Sequence, residues 1–194
     1  MSTLSKNLLT PEQYLDLERK AEFKSEYHQG EMFAMAGASE AHNLIVTNCV
    51  VALGQQLRSR PCRLYSSDMR VRVSATGLYT YPDVVVVCGE PRFLDNHRDT
   101  LLNPTLIIEV LSRSTEAYDR GRKFEHYSSV ESLGEYLLLS SDRMHADLCS
   151  RQPNSKWLRT LAGQPGDVIE LSAAGCTLTL GDVYEKVEFG DPEE

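Results

Sequence analysis

Two apolar runs dominate the hydrophobic pattern, and each carries a carboxylate. Asp83 precedes Val84-Val85-Val86-Val87-Cys88, and Glu109 lies inside Leu106-Ile107-Ile108-Glu109-Val110-Leu111. Runs of this kind predict strands buried on both faces. A third such run is expected at 135–139. Upstream, Thr10-Pro11-Glu12 predicts a helix start, with an N-cap threonine, proline in the first turn and an acid behind it. Gln29-Gly30 predicts a hairpin turn between two short strands. Ser39 is expected to cap a long helix in which Leu44, Ile45, Cys49, Leu53 and Leu57 follow helical spacing, with Pro61 ending it. Val71 and Val73 alternate with Arg70 and Arg72 as in a strand, 89–103 reads as a polar loop, and 115–130 reads as a helix. Further strands are expected after residue 140 and a short helix from Asp182. The order predicts a mixed α/β fold around one central sheet.

At 194 residues, with 41% hydrophobic and 25% charged positions, the chain has the profile of one globular domain, expected over 10–187 with loose ends at 1–9 and 188–194. The net charge of −8 disfavours tight non-specific binding to nucleic acid, which depends on neutralised phosphates. Five cysteines, an odd number without CxxC spacing, argue against a disulfide framework or a zinc site and for a reducing cytoplasm. No apolar leader and no run long enough to span a bilayer is present, so neither a signal peptide nor a membrane partner is expected.

A carboxylate set against a buried strand costs several kcal/mol unless it is paired or binds a metal. Asp83 reads either as a strand-end turn acid or as a metal ligand. Glu109 reads either as half of a buried salt bridge to a nearby arginine or as a second ligand. Lys123 falls on one helical stripe with Asp119 and Tyr127, which fits an ordinary surface ion pair or a lysine packed over the two acids. Grouped together, the three types suit phosphodiester hydrolysis. Mg²⁺ takes one or two carboxylates plus waters, and a lysine orients a water or offsets developing charge.

The ordered set of motifs resembles the Uma2 (DUF820) family of the PD-(D/E)XK nuclease superfamily. The stretches that carry the resemblance are Glu26-Tyr-His-Gln-Gly-Glu-Met-Phe, Tyr65-Ser-Ser-Asp-Met-Arg-Val-Arg-Val, Tyr81-Pro-Asp-Val-Val-Val-Val-Cys, Ile108-Glu-Val-Leu-Ser-Arg-Ser-Thr and the following segment to Lys123. The resemblance implies a restriction-endonuclease-like fold, a central mixed sheet flanked by helices. It implies Asp83 and Glu109 as metal ligands. The leading expectation is an endonuclease that holds Mg²⁺ or Mn²⁺ on those acids and acts on DNA, and the acidic charge without a separate DNA-reading module makes a homodimer the expected state. The superfamily lysine, two residues after the second acid, is replaced here by Leu111, which makes Lys123 the candidate to stand in for it. Glu31 is a candidate extra carboxylate or a solvated hairpin acid. His42 is a candidate orienting residue or a helix-start histidine. Two other classes stay open: a nuclease-fold protein that binds nucleic acid or a partner without turnover, and a small-molecule phosphodiesterase.

Overall fold

A computed structural model of the chain describes residues 8–190, so most of both expected loose ends lies outside the described residues. The first helix, α1 (Pro11–Glu18), starts as its sequence dictates: Thr10 Oγ1 accepts from the Gln13 N–H while the Gln13 side chain accepts from the Thr10 N–H. Strands β1 (Ser25–His28) and β2 (Glu31–Ala34) form the expected hairpin. Its two turn residues, Gln29 (φ 50°) and Gly30 (φ 90°), both have positive φ, as a twisted two-residue turn requires. Helix α2 (Glu40–Leu57) is capped by Ser39 and buries Ile45, Cys49, Leu53 and Leu57 along one stripe.

Next come β3 (Cys62–Ser66), β4 (Arg70–Val73), β5 (Leu78–Thr80), β6 (Val84–Cys88), the short β7 (Thr100–Leu101) and β8 (Leu106–Leu111). The helix expected over 115–130 is three pieces: α3 (Glu116–Tyr118), a π-helical turn (Asp119–Lys123) and α4 (Phe124–Ser128). The chain closes with β9 (Glu135–Ser140), β10 (Ala146–Arg151), β11 (Trp157–Ala162), β12 (Val168–Leu171), β13 (Cys176–Thr179) and α5 (Leu180–Val183).

The architecture is mixed α/β, but the single sheet expected from the pattern is divided. A six-stranded sheet runs β11-β10-β9-β8-β6-β3, and a five-stranded sheet runs β2-β1-β5-β4-β7. Both are mixed, with β8 parallel to β9 and β4 parallel to β7. The short strands β5 and β7 leave little periodic signal, and they are what complete the second sheet.

Side-chain alternation divides the core into layers. Val84, Val86, Leu106, Ile108 and Val110 face α2, the β12–β13 hairpin and α5. Val85, Val87, Ile107 and Leu111 face the other way, meeting Val71, Val73, Leu78 and Leu101 of the five-stranded sheet. Beyond that sheet, α1 covers its outer face through Tyr14 and Leu15 against Tyr27 and Tyr79. One bond departs from the expectation drawn from the cysteine count. Cys62 and Cys88 are register partners across β3 and β6 and form a disulfide, while Cys49, Cys149 and Cys176 are free. A cross-strand pair of this kind shows only once the register is known. No helix among the described residues is long and apolar enough to cross a membrane.

Candidate active site

Strand register brings Asp83 and Glu109 together. Val84 lies opposite Ile108 in the antiparallel pair of β6 and β8. Continuing that register by one residue sets Asp83 opposite Glu109. Alternation points Glu109 toward the inter-sheet layer, the side that also receives Ile107 and Leu111, whereas Asp83, just ahead of β6, turns across the strand end toward β8 and α2. Pro82 locks the approach to β6, and Asp83 Oδ2 accepts from the Val110 N–H at 2.8 Å, which pins the aspartate across to the neighbouring strand. Its Oδ1 lies 3.0 Å from His42 Nε2, near the start of α2. Asp83 is reachable from solvent, whereas Glu109 is 4% exposed.

Lys123 is delivered from the π-helical turn. Its Nζ lies 3.0 Å from Glu109 Oε1, 3.3 Å from Glu26 Oε1 and 3.4 Å from Asp119 Oδ1. Tyr127 donates to Glu109 Oε1 at 2.9 Å, and Thr80 donates to Glu26 Oε1. The expected stripe of Asp119, Lys123 and Tyr127 is thus present, but it faces inward rather than solvent, and all three residues are buried. Tyr136 on β9 adds a bond from its hydroxyl to the Asp119 carbonyl at 3.2 Å, tying the π-helical turn to the sheet.

One ammonium among so many carboxylates has clear electrostatic consequences. Burial pushes the Glu109 carboxyl up to about 8, with Lys123 opposing the shift and Asp83 and Asp119 adding to it. Burial also raises Asp119, again against Lys123. For Lys123 burial acts downward, and the carboxylates of Glu109, Glu26 and Asp119 overcome it, so the ammonium is held charged well above the ordinary lysine range.

The hairpin carboxylate that reaches Lys123 is Glu26. Glu31 sits beside the turn, opposite His28, on the same sheet face. Sequence reasoning passed over Glu26, and only the burial of its neighbour Tyr27 on the outer face assigns it to the inner one. It also passed over Thr80. Asp68 forms a surface pair with Lys24 at 3.0 Å. Among the described residues no three His, Cys, Asp or Glu side chains converge as a ready-made ligand set. The donor chemistry nevertheless suits a hard divalent cation that keeps most of its waters, since such an ion needs only one or two carboxylates. Asp83 spends one hydrogen bond on each oxygen, which leaves lone pairs on both.

The mixed sheet sets Asp83 and Glu109 on adjacent strands beside a buried lysine. A profile of the family Uma2, described as "Putative restriction endonuclease", matches residues 11–181. The chain belongs to this family. It is 36% identical over 183 residues to the uncharacterized protein slr1290 of Synechocystis sp., covering 93% of this chain and 94% of that one. To a second protein of that organism, the uncharacterized sll1609, it is 36% identical over 169 residues, covering 87% of this chain and 96% of that one. A crystal structure described as a putative nuclease belonging to DUF820, from Anabaena variabilis, superimposes with a TM-score of 0.74 at 17% identity, covering 93% of this chain and 99% of that one. At that identity the likeness establishes the fold.

Proposed function

We propose that this protein is a divalent-metal-dependent nuclease that hydrolyses phosphodiester bonds of nucleic acid, with DNA as its substrate. The observation that carries the reading is the pairing of Asp83 and Glu109 on facing strands with Lys123 3.0 Å from the second acid. Asp83 and Glu109 would hold Mg²⁺ or Mn²⁺. When bound, that ion supplies Lewis-acid polarisation of a phosphoryl oxygen and a lowered pKa for water.

The chain's own groups do the rest. His42 fixes the rotamer of Asp83 through Oδ1 and leaves the carboxylate aimed between the strands. Tyr127 holds Glu109 by its hydroxyl. Lys123, kept charged by its three acids and with its N–H groups directed at them, places positive charge beside the point where a pentavalent phosphorus centre gains negative charge. In-line attack forms the new P–O bond as the ester P–O bond breaks, leaving a phosphomonoester and a free hydroxyl. Lys123 thereby takes over the part of the lysine missing at Leu111, arriving from a different element of the fold.

The test is purified protein on plasmid DNA with Mg²⁺ or Mn²⁺, beside Asp83→Ala and Lys123→Ala. Nicking that both substitutions abolish supports the reading. Cleavage that survives Asp83→Ala removes it. Lys123 is already engaged with three carboxylates and the chain carries −8 overall, and these facts favour a second reading, binding without turnover. That reading expects metal-independent binding and no cleavage of DNA, RNA or nucleotide diesters.

A further inference from the structure

The sheet face that carries Glu26 does not stop at the buried lysine. Phe33 lies on β2, the edge strand of the five-stranded sheet, and is 51% exposed. In the hairpin register its partner is Glu26, so the two side chains leave the same face. Glu26 is the carboxylate bound to Thr80 and Lys123. The face therefore runs from the ammonium outward to an aromatic ring standing in solvent. His28, two residues along β1 on that face, meets the ring of His126 on α4 edge-on at 4.7 Å. Tyr118, 36% exposed, comes from the helical side. Burial raises its phenol, which lies close enough to Glu26, Lys123, Asp119 and Glu109 to feel their charges.

A single exposed apolar residue needs no explanation. Here Phe33 shares a face with Glu26 and His28, and Tyr118 directly precedes Asp119, a partner of the lysine, so the two exposed rings and the imidazole pair form a pattern. The charge on this rim also selects among substrates. Affinity for a duplex rests on several cations neutralising its phosphates. Here Glu26, Asp83, Glu109 and Asp119 outnumber Lys123, and Arg122 near His126 adds a single further positive charge. Aromatic rings bind bases through π-faces and need no backbone charge, and those π-faces are available only on unpaired bases.

We propose that Phe33 and Tyr118 stack on bases beside the scissile phosphate, and that the substrate is nucleic acid in single-stranded or locally unpaired form. The placement of that phosphate rests on the nuclease reading above; the stacking surface is measurable without it.

The experiment is fluorescence anisotropy of a labelled, unstructured oligodeoxynucleotide and of the same sequence as a duplex, with Mg²⁺ and with EDTA, cleavage being followed in parallel. The single strand is expected to bind more tightly than the duplex. Phe33→Ala and Tyr118→Ala should each weaken single-strand binding on the order of tenfold, from the worth of one base–aromatic stack. Phe33→Trp should restore it, and Phe33→Leu, which keeps an apolar side chain without a π-face, should not. That pattern supports the inference whether or not the strand is cut, so a failure of the nuclease reading shows separately as absent cleavage. Equal affinity for duplex and single strand, or binding indifferent to Phe33→Ala, overturns it even if cleavage proceeds. A dimer that Phe33→Ala dissociates with oligonucleotide binding unchanged would assign the face to a second copy of the chain and overturn it as well.

Discussion

The five-stranded sheet carries buried charge on both faces, and the two clusters are built differently. On the outer face, under α1, Arg70 is 2% exposed and reaches Thr100 (2.9 Å), Tyr81 (2.8 Å) and Asp99 (3.0 Å). Arg19 forks onto Asp95 and Asp99, and Glu18 accepts from the Tyr81 hydroxyl. Two planar guanidiniums answer the acids there with directed bonds. On the inner face a single flexible ammonium answers Glu26, Glu109 and Asp119, with Asp83 beside them. Arginine forks with nearly matched charge hold α1 and the 89–103 loop to the sheet. A lysine outnumbered by acids leaves a shortfall of positive charge, and a divalent cation would supply it.

The sharpest way to break this contrast is Lys123→Met. It leaves the buried Glu109 and Asp119 and the half-buried Glu26 without their cation, so stability should fall by about 3–5 kcal/mol in denaturant titration without added metal. A loss below about 1 kcal/mol would mean that the inner acids are already neutralised by protons and that the lysine counts for little.

Asp99→Asn probes the outer cluster and should cost roughly 1–2 kcal/mol at pH 7, less than a fully buried charged pair because Asp99 is partly exposed. The hydrogen bond from Arg19, aided by Arg70 and opposed by burial, holds the Asp99 carboxyl well below the usual carboxylate range. A depressed acid contributes stability above its unfolded pKa, about 4, and loses it as pH falls toward the folded value. Wild type should therefore weaken below about pH 4 along a limb that Asp99→Asn flattens, with cleavage per folded molecule unchanged at neutral pH. Cleavage lost in step with stability would show that the outer cluster also shapes the site.

Glu109→Gln should have the smallest effect on stability, within about 1 kcal/mol and favourable in sign. It replaces a carboxyl whose charged form burial already disfavours and keeps an oxygen for Lys123 and Tyr127. Cleavage should nonetheless disappear. A variant that is stable and still cuts would remove Glu109 from the proposed metal site.

These particular residues also show what the linear pattern could and could not carry. Asp83 and Glu109 were legible because a charge inside a β-branched run contradicts its surroundings. Lys123 was legible as part of a helical stripe, but the sense of that stripe, inward rather than solvated, depends on the π-helical turn, which has no sequence period of its own. Glu26 was hidden because a four-residue strand is too short to establish alternation, and its neighbours Lys24 and Ser25 are polar as well. Arg70 looked like half of a polar strand face, yet α1 covers it, and that contact joins segments far apart in the chain. β5 and β7 went unseen for the same reason: a strand of two or three residues is defined by its partners.

The π-helical turn from Asp119 to Lys123 makes the lysine's position a matter of counting. Each residue advances an α-helix by about 100°, and the wider π-helical turn by somewhat less. Gly121, in the middle of that turn, has nothing within 4 Å of where a Cβ would stand, so the identity of the residue there is nearly free. Its presence is not. Deleting it would swing Lys123 about a quarter-turn around the axis and leave Glu26 and Glu109 facing a different side chain, whereas Gly121→Ala would pass almost unnoticed. At this point of the chain the protein stores information as length.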